Sequence, residues 1–181
     1  GTMPIVIAGS EEQKKKFVPP LASGEMIGAF GLTEPDAGSD AGATKTTAVK
    51  KGDEYILNGG KIFITNVGEA GILNLTARVI EGDEDKGIGA FIIETNTPGL
   101  IINPKEKKMG WCASDTRQIF FEDMAVPAKN MLGTPGIGFK TFLKTLTGGR
   151  ISIAALSVGT ALGAYERALQ YATERKAFGK E

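Results

Sequence analysis

One long helical stripe limits this chain more than any other feature. Phe139, Phe142, Leu143 and Leu146 fall at i, i+3, i+4 and i+7, and Ile151, Ala154, Ala155, Val158, Leu162, Tyr165, Leu169 and Ala172 carry the pattern onward. An uninterrupted helix from Phe139 to Lys176 would run ~57 Å at ~1.5 Å per residue. A compact domain of 181 residues has a radius of gyration of roughly 16 Å and is about 40 Å across. Gly148 and Gly149 weaken a helix by about 1 kcal/mol each, yet the portion from Arg150 onward is still apolar along one side and has no later segment to pack on it. The expectation is a piece of a larger protein, or an obligate oligomer, whose other helices bury the stripe.

The chain before that stripe has a different texture. From Met26 to about Val126, short apolar or alternating runs are separated by Gly, Asn, Asp and Pro. Strands are expected at Ile27 to Leu32, Thr44 to Lys50, Glu54 to Leu57, Lys61 to Thr65, Ile72 to Val79, Ile88 to Glu94, Leu100 to Lys105 and Thr116 to Glu122. With no helix interleaved, the pattern predicts a mainly β domain of two packed antiparallel sheets rather than a doubly wound sheet. Asn58, Gly59 and Gly60 supply the positive φ angles of a hairpin turn. Ahead of the strands, Ser10 and Gln13 form a capping-box pattern, and the helix they start should end before Pro19 and Pro20.

Composition removes whole classes of chemistry. There is no His, so His-dependent general bases, nucleophile systems and metal sites are absent, and Cys112 alone can form no intrachain disulfide. A reduced, intracellular setting follows. Lys plus Arg equals Asp plus Glu at 21 each, so no basic excess draws nucleic acid or anionic lipid. No apolar run reaches the ~20 residues of a membrane span. Gly, at 25 residues, is about twice as common as usual, which suggests many tight turns or backbone close to a ligand.

Two loops attract attention as ligand sites. Thr33-Glu34-Pro35-Asp36-Ala37-Gly38-Ser39-Asp40 follows an expected strand and combines hydroxyls, free amides and a Gly, which suits a pyrophosphate or a heterocycle. Read by composition alone it is a turn. Gly133 to Thr141 imitates a phosphate-binding loop, but Phe139 separates the last Gly from Lys140 and no good strand precedes it. Glu166 and Glu174 read as surface charges partnered along the helix, and Trp111 reads as core.

Taken in order, Gly31-Leu32-Thr33-Glu34-Pro35-Asp36-Ala37-Gly38-Ser39-Asp40, Leu57-Asn58-Gly59-Gly60-Lys61-Ile62-Phe63-Ile64-Thr65-Asn66, Lys108-Met109-Gly110-Trp111, Phe121-Glu122-Asp123-Met124-Ala125-Val126-Pro127, Gly148-Gly149-Arg150 and Glu174-Arg175-Lys176-Ala177-Phe178-Gly179 resemble the acyl-CoA dehydrogenase family. The resemblance implies residues 1–24 as the end of an N-terminal helical region, 25–130 as the middle β-domain and 131–181 as the start of a truncated C-terminal helical-bundle domain. It also implies an FAD enzyme of fatty acid metabolism. Such an enzyme converts an acyl-CoA thioester to a trans-2-enoyl-CoA and passes electrons to an electron-transfer flavoprotein. Its expected assembly is a homotetramer built as a dimer of dimers, short-chain or butyryl-like in overall texture, in a bacterial cytoplasm or a mitochondrial matrix.

By the same resemblance, flavin contacts fall on Phe30, Leu32, Thr33, Gly38, Ser39, Phe63, Ile64 and Thr65, while Arg175 and Phe178 reach the FAD of a neighbouring subunit. Phe63 stands where many members have Trp. Ser39 and Arg150 are expected on the CoA substrate, Arg150 through a guanidinium suited to phosphate or an adenine face. Ala177 replaces the customary Gln or Thr, and Thr147 the customary Asp. No catalytic residue is assigned within the chain, because the α-proton acceptor is a Glu expected after Glu181, and Gly149, its alternative position, carries no carboxylate. Two alternatives accompany this reading: a β-module without flavin or catalysis, and an acyl-CoA oxidase or flavin monooxygenase of the same fold.

Overall fold

The computed structural model describes residues 1–180. Seven strands follow two short helices and precede one long one: α1 Met3–Ala8, α2 Glu11–Ser23, β1 Gly28–Gly31, β2 Thr47–Lys51, β3 Glu54–Thr65, β4 Ile72–Glu81, β5 Glu84–Glu94, β6 Leu100–Lys105, β7 Thr116–Pro127 and α3 Gly138–Glu174. The chain divides into two compact units, Gly1–Leu143 and Lys144–Glu181. A β-rich body followed by a long helix is the expected fold. Among the described residues no helix is long and apolar enough to cross a membrane.

The strands form one connected sheet of mixed sense. Four pairings are antiparallel as expected, β2 with β3, β3 with β7, β4 with β5 and β6 with β7. Two are parallel: β1 and β2 both run alongside β4, β1 against Ile72 to Leu75 and β2 against Arg78 to Ile80. Pairing β4 on both edges makes it a wall between two cores. Leu73, Leu75, Ala77 and Val79 face one core with Phe91 and Ile93, whereas Ile72 faces the other with Ala90, Ile92, Phe17 and Phe142. The strand keeps a polar residue at every second position, Asn74, Thr76 and Arg78, and because both its faces are covered Asn74 and Thr76 are buried all the same.

Two expectations about punctuation are corrected. Asn58, Gly59 and Gly60 lie inside the single 12-residue strand β3 and make no hairpin turn. They are needed for close approach. A Cβ on Gly59, whose φ is 135°, would stand 2.8 Å from the Thr46 Cα, and one on Gly60 would stand 2.8 Å from the Phe120 ring. The hairpins turn instead at Gly52-Asp53 and Gly82-Asp83, where Gly52 and Gly82 have φ of 58° and 62°. Helix α2, likewise, runs through Pro19 and Pro20 to Ser23 before Gly24 closes it at φ 84°. Its capping box is formed: Ser10 Oγ accepts from the Gln13 N–H at 3.2 Å and the Ser10 N–H donates to Gln13 Oε1 at 2.8 Å. The Gln13 amide group then donates to the carbonyls of Lys129 and Met131 at 2.8 and 2.9 Å, fixing α2 to the segment that follows β7.

The rejected phosphate-loop imitation has a packing explanation. A Cβ on Gly138 would lie 2.2 Å from the Gly89 carbonyl carbon, so the first turn of α3 presses directly on β5. In the second unit α3 continues through Gly148 and Gly149 without a break. Its Ile151, Val158, Leu162, Tyr165 and Leu169 are all exposed.

Candidate functional site

The loop after β1 folds back on itself through two reciprocal bonds, the Glu34 N–H to the Ala37 carbonyl at 3.0 Å and the Ala37 N–H to the Glu34 carbonyl at 3.2 Å. Pro35 and Asp36 occupy the corner, where Pro supplies the required φ. The Ile62 N–H donates to the Thr33 carbonyl at 2.9 Å, so this loop is stitched to β3 immediately before Phe63. The two segments expected to hold a flavin are therefore neighbours. The Thr33 N–H has no partner among the described residues. Gly38 and Ser39 are exposed, and a Cβ on Gly38 would meet nothing within 4 Å.

At Phe63 the strand bulges. Lys61 pairs with Ile119 and Ile64 with Arg117, so Ile62 and Phe63 together oppose a single residue of β7. Phe63 takes φ 60°, unusual for a bulky side chain, and its ring is 62% exposed. Thr65 is also exposed, opposite Thr116. Beyond it Asn66 takes φ 66° and donates its N–H to the Asp115 carbonyl at 2.8 Å. The Asp115 carboxylate accepts from the Gly68 N–H and from Arg117 Nε, both at 2.9 Å. Burial raises the Asp115 pKa, but those donors and the positive charges of Arg117 and Lys105 outweigh it and hold the carboxyl below its ordinary value.

Other expected flavin residues are committed elsewhere by their side chains. The Phe30 ring stacks on Phe142 with centroids 4.3 Å apart, Leu32 packs in the second core and Ile64 in the first. Each has only its main chain to offer a ligand. In the second unit, Arg150 lies with Leu146, Gly149, Ile153 and Ala154 around an open concavity on the helix. Arg175 caps the same helix, its N–H donating to the Tyr171 carbonyl at 2.9 Å. Phe178 takes φ 53° in a turn closed by Ala177 and Lys180, which leaves its ring fully exposed. Trp111, expected in the core, is 64% exposed with φ 53°. Its loop carries it to the surface, and no core layer lies above it.

The sequence reading missed an ion pair beneath the loop. Lys61 is 0% exposed at its side chain and Glu34 4%, with Nζ and Oε1 2.7 Å apart. Lys61 Nζ also donates to Thr76 Oγ1 and to the Leu32 carbonyl, each at 3.2 Å, while the Glu34 carboxylate accepts from the N–H groups of Lys45 at 2.7 Å and Thr46 at 3.2 Å. Burial pulls the Lys61 pKa below that of an ordinary lysine, with the Glu34 charge opposing it. For Glu34, burial works to raise the pKa, but the Lys61 charge and the donated hydrogen bonds win and lower it. The signal was available: Lys61 shares the inward parity of Tyr55 and Leu57 along β3.

Comparisons with known proteins agree with this geometry. Residues 29–124 match the family model described as acyl-CoA dehydrogenase, middle domain, and residues 136–181 the model described as acyl-CoA dehydrogenase, C-terminal domain. A short-chain specific acyl-CoA dehydrogenase of Clostridium acetobutylicum is 52% identical over 172 residues, 95% of this chain and 45% of that protein. A chain in the structure of the electron transferring flavoprotein of Acidaminococcus fermentans aligns with a TM-score of 0.91 at 50% identity, covering 98% of this chain and 47% of that one. An acyl-CoA dehydrogenase of Bacillus anthracis complexed with FAD aligns with a TM-score of 0.93 at 42% identity, covering 99% and 31%. This chain thus spans less than half the length of each protein just compared. Within that span, the stitched loop, the bulged strand and the matches over both units establish that the chain belongs to the acyl-CoA dehydrogenase family.

Proposed function

We propose that this chain is the cofactor-gripping half of an FAD-dependent dehydrogenase that oxidises a short-chain acyl-CoA to the trans-2-enoyl-CoA and delivers electrons to an electron-transfer flavoprotein. The observation that carries the reading is the Thr33–Ile62 bond. It sets an unpartnered amide beside the strand that carries the exposed Phe63 and Thr65, with an open Gly38 farther along the same loop. A flavin fits that set of groups: a flat apolar ring needs an aromatic neighbour, its carbonyls need donors, and a pyrophosphate needs backbone without a side chain in the way. Bound there, the flavin supplies the acceptor for the substrate's β-hydride.

The residues of the chain orient and shield. The Thr33 N–H and the Thr65 hydroxyl are the donors to the ring, Phe63 covers it from water, and the main chain of Phe30, Leu32 and Ile64 lines its edge. Ser39 serves the pyrophosphate and the neighbouring CoA, and Arg150 binds the CoA phosphate or adenine. Arg175 and Phe178 serve the flavin of a second subunit in a dimer of dimers. Gly149 cannot accept the α-proton, so that role belongs to a carboxylate outside this set. The setting is a bacterial cytoplasm or a mitochondrial matrix.

The test is a flavin-reconstituted preparation of the full-length protein. It should be yellow, be bleached by butyryl-CoA, and reduce a dye acceptor or an electron-transfer flavoprotein. A folded, colourless protein would overturn the reading in favour of a flavin-free module. Rapid hydrogen peroxide formation without an added acceptor would reassign it as an oxidase.

A further inference from the structure

The buried Lys61–Glu34 pair sits one peptide away from the Thr33 amide. Its lysine crosses from β3 beneath β1, its Cγ 3.6 Å from where a Cβ on Gly31 would stand. The ammonium ends against the Leu32 carbonyl, Thr76 Oγ1 and Glu34 Oε1. The three bonds to the ammonium are all buried, so solvent weakens them little. A planar trans peptide points its C=O and N–H in opposite directions. With the Leu32 carbonyl turned inward onto a positive charge, the N–H of Thr33 on the same peptide is turned outward, and there it has no partner among the described residues.

We propose that Lys61 is a positioning residue that orients and polarises the Leu32–Thr33 peptide, so that the Thr33 N–H is presented to the flavin as a strengthened donor. A carbonyl that accepts from an ammonium withdraws electron density from its own amide, and hydrogen bonds linked through one peptide reinforce one another. Glu34 has a different duty. Its Oε1 accepts from the ammonium, as a glutamine oxygen could, and by accepting the Lys45 and Thr46 amides its carboxylate ties the near end of the loop to the far end, just before β2. The inference rests on the flavin reading above. A donor strengthened in this way favours the reduced ring, which carries more negative charge than the oxidised one, so Lys61 raises the flavin's midpoint potential as well as its affinity.

The test compares the full-length, flavin-loaded protein with Glu34→Gln and with the double variant Glu34→Gln/Lys61→Met. The readouts are the FAD dissociation constant and the midpoint potential. The double variant leaves no unpaired buried charge. It is expected to hold oxidised FAD about tenfold more weakly and the reduced form about a further tenfold more weakly, a fall of about 30 mV for a two-electron couple. Glu34→Gln alone keeps the ammonium on the Leu32 carbonyl and should change the dissociation constant by less than about threefold and the potential by less than about 15 mV. If the double variant does not fold, Lys61→Gln, neutral yet still a donor, should lower the potential while losing less affinity. A folded double variant, or a folded Lys61→Gln, with wild-type affinity and potential overturns the proposal, as does a Glu34→Gln protein that shows the whole effect. A wild-type protein that takes up no FAD overturns the flavin reading itself, whereas unchanged variants of a flavin-binding wild type overturn only the role of Lys61.

Discussion

Strands β4 and β5 and the helix from Lys144 onward are both rich in Ile, Leu and Ala, and their fates are opposite. In the strands Leu73, Leu75, Phe91, Ile92 and Ile93 are buried to within about 1%. In the helix Ile151, Val158, Leu162, Tyr165 and Leu169 are all more than half exposed. The first unit shows the converse for polar groups, enclosing Lys61, Glu34, Thr76 and Asp115 and giving each a partner. The difference teaches that apolar content alone does not locate the interior of this chain. Pairing does: the first unit satisfies most of its buried polar groups from within, Thr44 Oγ1 and Asn74 Oδ1 excepted, and the second leaves its apolar residues exposed.

The sharpest way to break this contrast is to remove one buried partner. Lys61→Met in the flavin-free chain leaves the Glu34 carboxylate enclosed with two backbone donors but no cation. It should cost about 3–5 kcal/mol of unfolding free energy, measured in denaturant. A cost under about 1 kcal/mol would mean that water reaches the pair. Next in size is a matched truncation. Leu75→Ala, in the core, should cost about 2–5 kcal/mol. Leu162→Ala, on the exposed helix face, should stay within about 0.5 kcal/mol in the 181-residue chain. Equal costs would show that the helix already has cover.

Legibility in the sequence follows the same line. Strand β6 was readable to the residue, and α3 to within two residues at each end, because a short apolar run before a Pro and a long apolar stripe at helical spacing show in the sequence whether or not they are covered. Gly59 and Gly60 misled because a glycine that admits Thr46 and Phe120 looks the same in sequence as one that makes a turn. Pro19 and Pro20 misled because α2 carries on past them to Ser23, leaving only the carbonyls of the exposed Lys15 and Lys16 without their helical donors. At the site, resemblance to the family picked out Thr33 and Phe63. Parity along β3 marked Lys61 as inward, but Glu34 lies 27 residues away on another element, and nothing local marked it as the partner.

A smaller effect tests how far the internal pairing extends. Gln13 ties α2 to the Lys129 and Met131 carbonyls. Gln13→Ala should cost about 1–3 kcal/mol, since it leaves acceptors without their donor. Gln13→Glu should be no better, because a carboxylate cannot donate. If both variants unfold at the wild-type denaturant midpoint, the N-terminal helices add nothing to the stability of the first unit.

The smallest effect is read through pH. Tyr55 packs edge-on against Phe91, with centroids 5.3 Å apart, and its hydroxyl donates to Glu81 Oε1 at 2.7 Å. Burial first, then the hydrogen bond and negative charge of Glu81, push its pKa up to about 12, against about 10 for an unfolded tyrosine. Between those values the folded chain keeps the phenolic proton and the unfolded chain has lost it. The unfolded state then binds fewer protons, and stability falls as pH rises from about 10 to about 12. Tyr55→Phe should lose about 1 kcal/mol at neutral pH. Above pH about 10 it should lack this part of the decline, so the gap between the two proteins narrows. Lysines titrate over the same range in both proteins, and the difference between paired denaturation series cancels them. A gap that stays constant up to pH about 12 would mean that the phenol titrates at its ordinary value and that water already reaches this edge of the first core.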